Sequence, residues 1–267
     1  MAKKALCVGI NTYPDGNNLN GCVNDANAWS ALLTGHFGFP QASVRMLLEA
    51  QATKANIWAG LEALLAGAKP GDVLVFTNSS HGTYVADKSG DEAYDEATCP
   101  YDCDKGAKYL LIDDELRKLF AAKLPAGVSM TVISDSCHSG TLTRAAVVAG
   151  PDNRRARFLN PKVLGLRELP DADLAKPRAA SSYSQADMKE LLLSGCTQRE
   201  YSWDAEINGK PHGAMTWYAI QAIRDSNYDL TWDQLHKRLR SQLEVAGFKQ
   251  HPQLEGTQAN KKKPIFT

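Results

Sequence analysis

The sequence lacks an excess of charge of either sign, since 30 lysines and arginines balance 30 aspartates and glutamates over 267 residues. Proteins that bind nucleic acids usually carry a basic excess that neutralises phosphates. Here the densest basic run is only residues 261–263. We therefore expect no nucleic-acid partner.

Long hydrophobic runs are missing as well. The apolar run after Lys3 and Lys4 covers only residues 5–10 before Asn11, which is too short for a secretory signal or a membrane span. No other stretch reaches the length of a span. The sequence predicts a cytoplasmic protein with no membrane partner.

Cysteine is sparse, with six residues at positions 7, 22, 99, 103, 137 and 196. Six cysteines in a chain of this length do not form a dense disulfide framework, and in a reducing compartment they stay thiols. The chain also has no internal repeat and no low-complexity tract. Its 43% hydrophobic and 22% charged content is typical of a folded protein with a sizeable core.

Short β-branched segments alternate with segments of helical period. Strands are predicted at residues 5–10, 44–48, 73–77, 129–134 and 190–195. Helices are predicted at residues 25–33, 54–66, 114–124, 215–225 and 232–246, with Thr53 and Thr231 as N-caps. This alternation is typical of an α/β protein whose mostly parallel sheet carries helices on both faces.

Two segments interrupt the alternation. Residues 84–109 are polar and acidic, and they are predicted to form a long loop. Residues 144–180 hold four prolines and eight basic residues against four acidic ones. A loop of that length in a compact domain is usually functional or disordered, and we expect it to be exposed.

Two polar loops that follow predicted strands carry the candidate chemistry. Residues 78–82 (NSSHG) follow one strand and residues 135–140 (DSCHSG) another. If the two strands are neighbours, His81 and Cys137 face each other at the carboxyl edge of the sheet. An imidazole beside a thiol can take its proton, and the thiolate attacks acyl groups. The N–H groups of Gly82 and Cys137 are the predicted oxyanion donors.

Two alternatives to this pair are open. A cysteine that ends a buried strand is most often an inert small hydrophobe, as we expect for Cys7 and Cys196. The polar neighbours of Cys137 argue against this, because they would be costly to bury without partners. His138 is the alternative base, but consecutive side chains diverge, which favours His81.

Short motifs are spread in order along nearly the whole chain: residues 5–11 (ALCVGIN), 19–26 (LNGCVNDA), 70–76 (PGDVLVF), 79–82 (SSHG), 113–116 (DDEL), 124–131 (LPAGVSMT), 135–140 (DSCHSG), 193–196 (LSGC) and 212–214 (HGA). Together they resemble the metacaspases, including the compact bacterial caspase-like peptidases. The resemblance implies an α/β three-layer sandwich, with a mostly parallel caspase-like sheet flanked by helices, and His81 and Cys137 as catalytic residues. It also implies a monomer with one peptidase domain, divided into a large part (1–143), a basic linker (144–186) and a small part (187–267).

The resemblance further implies a substrate class. Metacaspases cleave peptides and proteins after Arg or Lys, and the acidic residues of their first specificity pocket match Asp25 and Asp135. Cys22 and Ser79 match further pocket residues. Carboxylates offset the desolvation of a basic side chain and repel an acidic one. The alternative for Asp25 is an N-cap of the following helix.

The proposed chemistry requires no cofactor, but many metacaspases bind calcium through aspartates. The matching residues are Asp95, Asp113 and Asp114, and hard cations do prefer several carboxylate oxygens. Arg144 stands where the motif spacing places another aspartate, which argues against calcium. The alternative is a solvated acidic surface.

The connection between the two parts can be cut by the enzyme itself in this family, so we expect self-cleavage within residues 144–180. The candidate sites are Arg154, Arg155, Arg157, Lys162, Arg167, Lys176 and Arg178. Two other functions are weighed: a catalytically silent caspase-like module that binds peptides or partners, and a metal or redox protein. The presence of both His81 and Cys137 disfavours the first. The second would use Cys99 and Cys103, whose spacing is poor for zinc.

Overall fold

A computed structural model describes residues 1–87, 94–137, 154–170, 185–197 and 200–267 of the chain. The strands are β1 (Lys3–Gly9), β2 (Val44–Leu48), β3 (Val73–Ser79), β4 (Gly82–Ala86), β5 (Tyr94–Thr98), β6 (Leu111–Ile112), β7 (Ser129–Asp135), β8 (Arg155–Ala156), β9 (Glu190–Ser194), β10 (Trp203–Ile207), β11 (Lys210–Gly213) and β12 (Gln253–Glu255). The helices are α1 (Cys22–His36), α2 (Lys54–Leu65), α3 (Asp113–Lys123), α4 (Ala214–Asp225), α5 (Trp232–Val245) and α6 (Gln258–Lys261). All the predicted strands and helices are present, with their ends shifted by a few residues at most.

The central sheet has six strands in the order β12-β9-β7-β3-β1-β2. Five of them run parallel, and β12 is antiparallel to β9. Strands β3 and β7 are direct neighbours, with Ser79 opposite Asp135. The two polar loops predicted to carry the chemistry therefore leave the sheet side by side at its carboxyl edge.

Helices cover both faces of this sheet. Ala5 and Cys7 of β1 pack into the core beneath α1, α4 and α5, whereas Leu6 and Val8 pack into the core beneath α2 and α3. Burial on both faces explains why these strands are nearly continuous in apolar residues. The predicted three-layer α/β sandwich is confirmed. None of the helices in the described ranges has both the length and the apolar character needed to cross a membrane.

The prediction of a long loop at residues 84–109 is wrong. Strands β4 and β5 pair antiparallel there, and β6 extends them into a three-stranded sheet. The partly exposed Asp95 and Glu96 lie between Tyr94 and Ala97, which are buried, as is Tyr84 of β4. The polar composition of the described part therefore belongs to a partly exposed sheet; residues 88–93 lie outside the described residues.

The prediction of an exposed loop at residues 144–180 is also wrong for the residues that the structure describes, 154–170. Strand β8 is followed by a short 3₁₀ helix, Pro161–Leu164. Arg157, Phe158 and Leu159 are at most 1% exposed. The remainder, residues 144–153 and 171–180, lies outside the described residues. The buried stretch carries one of the basic side chains into the interior, where it defines the candidate site.

Candidate active site

His81 and Cys137 each lie two residues beyond a paired position of β3 and β7. Ser79 pairs with Asp135 at the carboxyl ends of these strands, so the two following loops run side by side. Both side chains are buried, His81 at 1% exposure and Cys137 at 0%. The alternative base, His138, lies outside the described residues.

The imidazole of His81 is held in one orientation. Its Nε2 lies 2.9 Å from the carbonyl oxygen of Asn17, so Nε2 must carry the proton and donate it. Its Nδ1 has no hydrogen-bond partner among the described residues. Tyr13 packs on the ring at 5.0 Å between centroids and accepts the His81 backbone N–H through its hydroxyl oxygen.

The pKa of His81 is lowered to about 4, chiefly by burial and also by the charge of Arg157, while the hydrogen bond to the Asn17 carbonyl opposes this shift. The imidazole is therefore neutral above pH 5. Since Nε2 is the donor, the lone pair lies on Nδ1. This arrangement supplies a base with a free accepting atom.

The thiol of Cys137 lies against Ser202, the residue before β10. Its Sγ is 2.5 Å from the backbone nitrogen of Ser202 and 3.2 Å from the carbonyl oxygen of that residue. The thiol of Cys196 interacts with that of Cys137. All six cysteines are free. The expectation that Cys7 and Cys196 are buried agrees with the structure.

Two backbone donors converge beside the thiol. The N–H groups of Gly82 and Cys137 donate to one acceptor, the carbonyl oxygen of Arg157, at 2.9 Å and 3.1 Å. A pair of fixed N–H groups aimed at one carbonyl oxygen is the arrangement that stabilises a developing oxyanion. These are the two donors predicted from the sequence.

An acidic pocket adjoins these donors. Three buried carboxylates surround the guanidinium of Arg157: Asp25 at 2.7 Å, Asp204 at 3.2 Å and Asp135 at 3.3 Å. Burial alone would lower the pKa of Arg157, but the surrounding acidic groups outweigh it and raise that pKa. The pocket thus fits a fully charged basic side chain.

Each predicted carboxylate of the pocket is fixed by backbone donors. Asp25 accepts from the N–H of Gly213 and contacts Nδ1 of His212, both at about 3 Å, and Asp135 accepts from the N–H of Thr216 at 3.0 Å. Burial raises the pKa of Asp25, and Arg157 counteracts that rise. The alternative that Asp25 caps its helix is wrong, since Gly21 is the N-cap of α1.

Gly213 allows the carboxylates to close on the guanidinium. A Cβ placed there would overlap Asp135 Oδ2 and the Arg157 guanidinium. The pocket therefore requires glycine at this position.

Cys22 and Ser79 lie at the edge of the pocket. Burial raises the pKa of Cys22 well above its usual value, so this thiol is neutral. Ser79 is 2% exposed and opposite Asp135. Among the described residues, no hydrogen bond joins either side chain to Arg157, although Cys22 and Arg157 interact electrostatically.

The predicted calcium ligands lie together where β5, which carries Asp95, meets the first turn of α3, which carries Asp113 and Asp114. Carboxylate oxygens of Asp95, Asp113 and Asp114 lie within 4.8 Å of one another, which fits the oxygen ligands of a hard cation. Arg117 pairs with Asp113 at 3.4 Å, and Lys118 pairs with Asp114 at 3.2 Å. Two cations therefore already offset part of the cluster's charge. Arg144 lies outside the described residues.

A family model described as the metacaspase, peptidase C14 domain, matches residues 3–145, which is more than half of the chain. The chain belongs to the metacaspase family. It is therefore a cysteine-type peptidase, and its substrates are peptides or proteins.

Curated relatives agree with this assignment, and solved structures share the fold. The metacaspase is 30% identical to Metacaspase-1 of Scheffersomyces stipitis, over 94% of its own length and 70% of that protein. It is 31% identical to Metacaspase-1A of Aspergillus fumigatus, over 94% and 68% of the two chains. Its fold is similar to that of the Geobacter sulfurreducens protein GSU0716, with a TM-score of 0.74 and 29% identity over 100% and 99% of the chains. Caspase-1 from Spodoptera frugiperda, with a TM-score of 0.55 and 13% identity over 95% and 86%, shares the fold.

Asp204 is a residue of this metacaspase's pocket that sequence reasoning missed. It lies on β10 and accepts from the N–H groups of Gly21 and Asn20. The signal that could have found it is the Asn208-Gly209 pair, because Asn-Gly between short alternating segments is typical of a two-residue hairpin turn. Predicting that hairpin would have placed Asp204 on a partly buried strand, where an acidic residue needs a partner.

Proposed function

We propose that this metacaspase is an endopeptidase that cleaves after Arg or Lys with Cys137 as nucleophile and His81 as base. The observation that carries the proposal is the acidic pocket. Asp25, Asp135 and Asp204 have their oxygens held by backbone N–H and side-chain donors and turned toward one guanidinium. Such a pocket favours a basic side chain and repels an acidic one.

The chemistry follows from the positions of three groups. His81 accepts the thiol proton of Cys137 on Nδ1, and the thiolate attacks the carbonyl carbon of the bound peptide. The N–H groups of Gly82 and Cys137 stabilise the oxyanion. The imidazolium then returns its proton to the leaving amine, and water hydrolyses the thioester to release the acid.

A catalytically silent module is the alternative. The lone pair of His81 Nδ1 and the two N–H donors on a single oxygen disfavour it, because peptide binding alone requires neither. The metal or redox alternative has less support. Among the described residues, the group of side chains that could hold a metal does not include Cys99 or Cys103.

The decisive experiment uses fluorogenic peptide amides that end in Arg, Lys or Asp. We expect the Arg and Lys peptides to be cleaved by the wild type and none by the Cys137→Ala variant, whose folding is checked by its Tm. Efficient cleavage after Asp would contradict the pocket. No turnover of any peptide would favour the binding module.

No cofactor is part of this proposal. The thiol and imidazole supply nucleophile and base, so we expect turnover in the presence of a calcium chelator. If a chelator abolished turnover and calcium restored it, with the Asp95→Asn variant unresponsive, the acidic cluster would be an essential calcium site.

The proposed setting is a cytoplasmic monomer. Six buried, unpaired thiols suit a reducing compartment. Monomeric mass in analytical ultracentrifugation at assay concentration is the expected result. We further propose that the enzyme cuts its own connection within residues 144–180.

A further inference from the structure

Residues 155–157 run through the cleft as an added strand. Arg155 pairs antiparallel with Asp204, and Ala156 pairs with Trp203. The N–H of Arg157 donates to the carbonyl oxygen of Ser202 at 2.9 Å. Adding a strand to a sheet edge is a common way to bind an extended peptide. The segment therefore has the backbone conformation of a bound substrate.

Arg157 occupies two parts of the active site at once. Its guanidinium lies in the acidic pocket, and its carbonyl oxygen accepts from the N–H groups of Gly82 and Cys137. A structural ion pair would account for the side chain alone. It would not require the carbonyl group of the same residue to lie between two donors beside a thiol. Arg157 thus has the position of the residue before a scissile bond.

The flanking side chains have contacts of their own. Arg154 lies over the ring of Phe248 at 3.8 Å and donates to the carbonyl oxygen of Gly247. Arg155 donates to the carbonyl oxygen of Asn18 at 2.8 Å. Beside Arg155 is a cavity of about 650 Å³ that Asn18 and Glu49 help to line.

The residues on either side of Arg157 are enclosed. Ala156 is 0% exposed, which leaves no room for a larger side chain. Phe158 packs between Tyr84 and Tyr201, each at 6.2 Å between ring centroids. Five consecutive residues, 154–158, are therefore recognised one by one.

We infer that residues 154–158 are the enzyme's own substrate and that it cuts the peptide bond between Arg157 and Phe158. This inference rests on the proposed function. In the reaction, His81 takes the thiol proton and the sulfur of Cys137 bonds to the carbonyl carbon of Arg157. The C–N bond to Phe158 breaks, and its nitrogen receives the proton from His81. Water then hydrolyses the thioester, leaving a carboxylate on Arg157 and a free thiol.

Cleavage itself opens the pocket. The cut creates a carboxylate at Arg157 and an ammonium group at Phe158, two positions that are at most 1% exposed. Burying two new charges in a site that held a neutral peptide bond is unfavourable. The new ends therefore move toward solvent, and the pocket becomes open to other substrates.

The test compares four variants with the wild type by intact mass and by sequencing of new N-termini. We expect the wild type to give a fragment that begins at Phe158 and Cys137→Ala to stay whole. Arg157→Gln should not be cut at this bond, and because its uncut segment stays in the cleft, its kcat/KM for Arg peptides in trans should fall below that of the cut wild type. Arg157→Lys should be cut, and the exposed Arg167→Gln should behave as wild type.

Several results would overturn the inference. A wild type that cleaves Arg peptides but stays whole, or is cut after another residue, would refute the site and leave the proposed function intact. If Arg157→Gln were cut after position 157 at the wild-type rate, the site would likewise be refuted and the proposed function would stand. No turnover and no cut in a folded wild type would refute both.

A peptide copy of the segment gives an independent readout. The fluorogenic peptide Arg-Arg-Ala-Arg should be cleaved about tenfold more efficiently than Arg-Glu-Ala-Arg, because the second peptide loses a hydrogen bond from a charged group. Equal kcat/KM values for the two peptides would contradict the assignment of Arg155 to the cleft.

Discussion

At the scale of single residues, Asp204 makes the sharpest prediction. Its carboxylate contacts the guanidinium of Arg157 at 3.2 Å and is the pocket residue contributed by β10. A hydrogen bond to a charged group contributes about 1.5–3 kcal/mol, so Asp204→Asn should lower kcat/KM for Arg peptides about tenfold to a hundredfold.

The matched control for Asp204 is the exposed Asp229. Asp229→Asn removes the same charge away from the pocket and should leave kcat/KM unchanged. Two variants with equal kcat/KM and normal Tm would show that Asp204 does not bind the basic side chain.

His81 makes a prediction about pH. Burial and the nearby Arg157 lower its pKa to about 4, whereas an unfolded histidine titrates near 6.5. Between these values the unfolded chain binds more protons, so this group's contribution to stability falls as the pH drops from about 6.5 to 4. NMR titration of the uncut Cys137→Ala protein should place the His81 midpoint near 4.

Arg157 can be tested as one cause of that shift. Adding Arg157→Gln to Cys137→Ala removes a nearby positive charge, so the His81 midpoint should rise. Asp15, which raises the pKa, and Arg155, which lowers it, stay in place in both proteins. A midpoint near 6.5 in the uncut protein would contradict the buried, neutral imidazole.

At the scale of elements, the turn between β10 and β11 links stability to the pocket. Asn208 and Gly209 both have positive φ, 53° and 75°, and an L side chain with a Cβ costs about 1–2 kcal/mol in this region. Gly209→Ala meets no neighbouring atom, so its cost is conformational. It should lower the Tm by about 2–8 °C, measured by calorimetry.

Gly209→Asn is the control for this turn. Asparagine tolerates the left-handed region better than alanine. The Tm of Gly209→Asn should therefore lie closer to that of the wild type than the Tm of Gly209→Ala does. If both variants had the wild-type Tm, the turn would not hold β10 as described.

The strands of the central sheet and the helices that cover it could be predicted, because the strands show apolar runs and the helices show helical periodicity and N-caps. Thr53 and Thr231 do cap α2 and α5, and the five parallel strands read as apolar runs. Antiparallel pairs were missed at β4–β5 and β10–β11, because short half-exposed strands rich in polar residues have weak local signals. The third pocket carboxylate was missed with them.

At the scale of the whole molecule, the catalytic pair and two pocket residues could be predicted because a parallel sheet brings strand ends together. The position of Arg157 could not. Eight basic residues in residues 144–180 are locally alike, and only the long-range pairing of β8 with β10 distinguishes this one. Gly82 and Cys137 could be proposed as donors, but their shared acceptor required the fold.

The topology also predicts what the cut enzyme is. Strand β9 pairs with β7, and β12 pairs with β9, so residues 158–267 supply two strands of the sheet that residues 1–157 begin. Helices α4 and α5 share one core with α1 and β1. Separating the pieces would expose this core to water. The two fragments should therefore co-elute at the volume of uncut Cys137→Ala in size-exclusion chromatography and separate only in denaturant. Fragments that separate in native buffer would mean that the sheet depends on the intact connection.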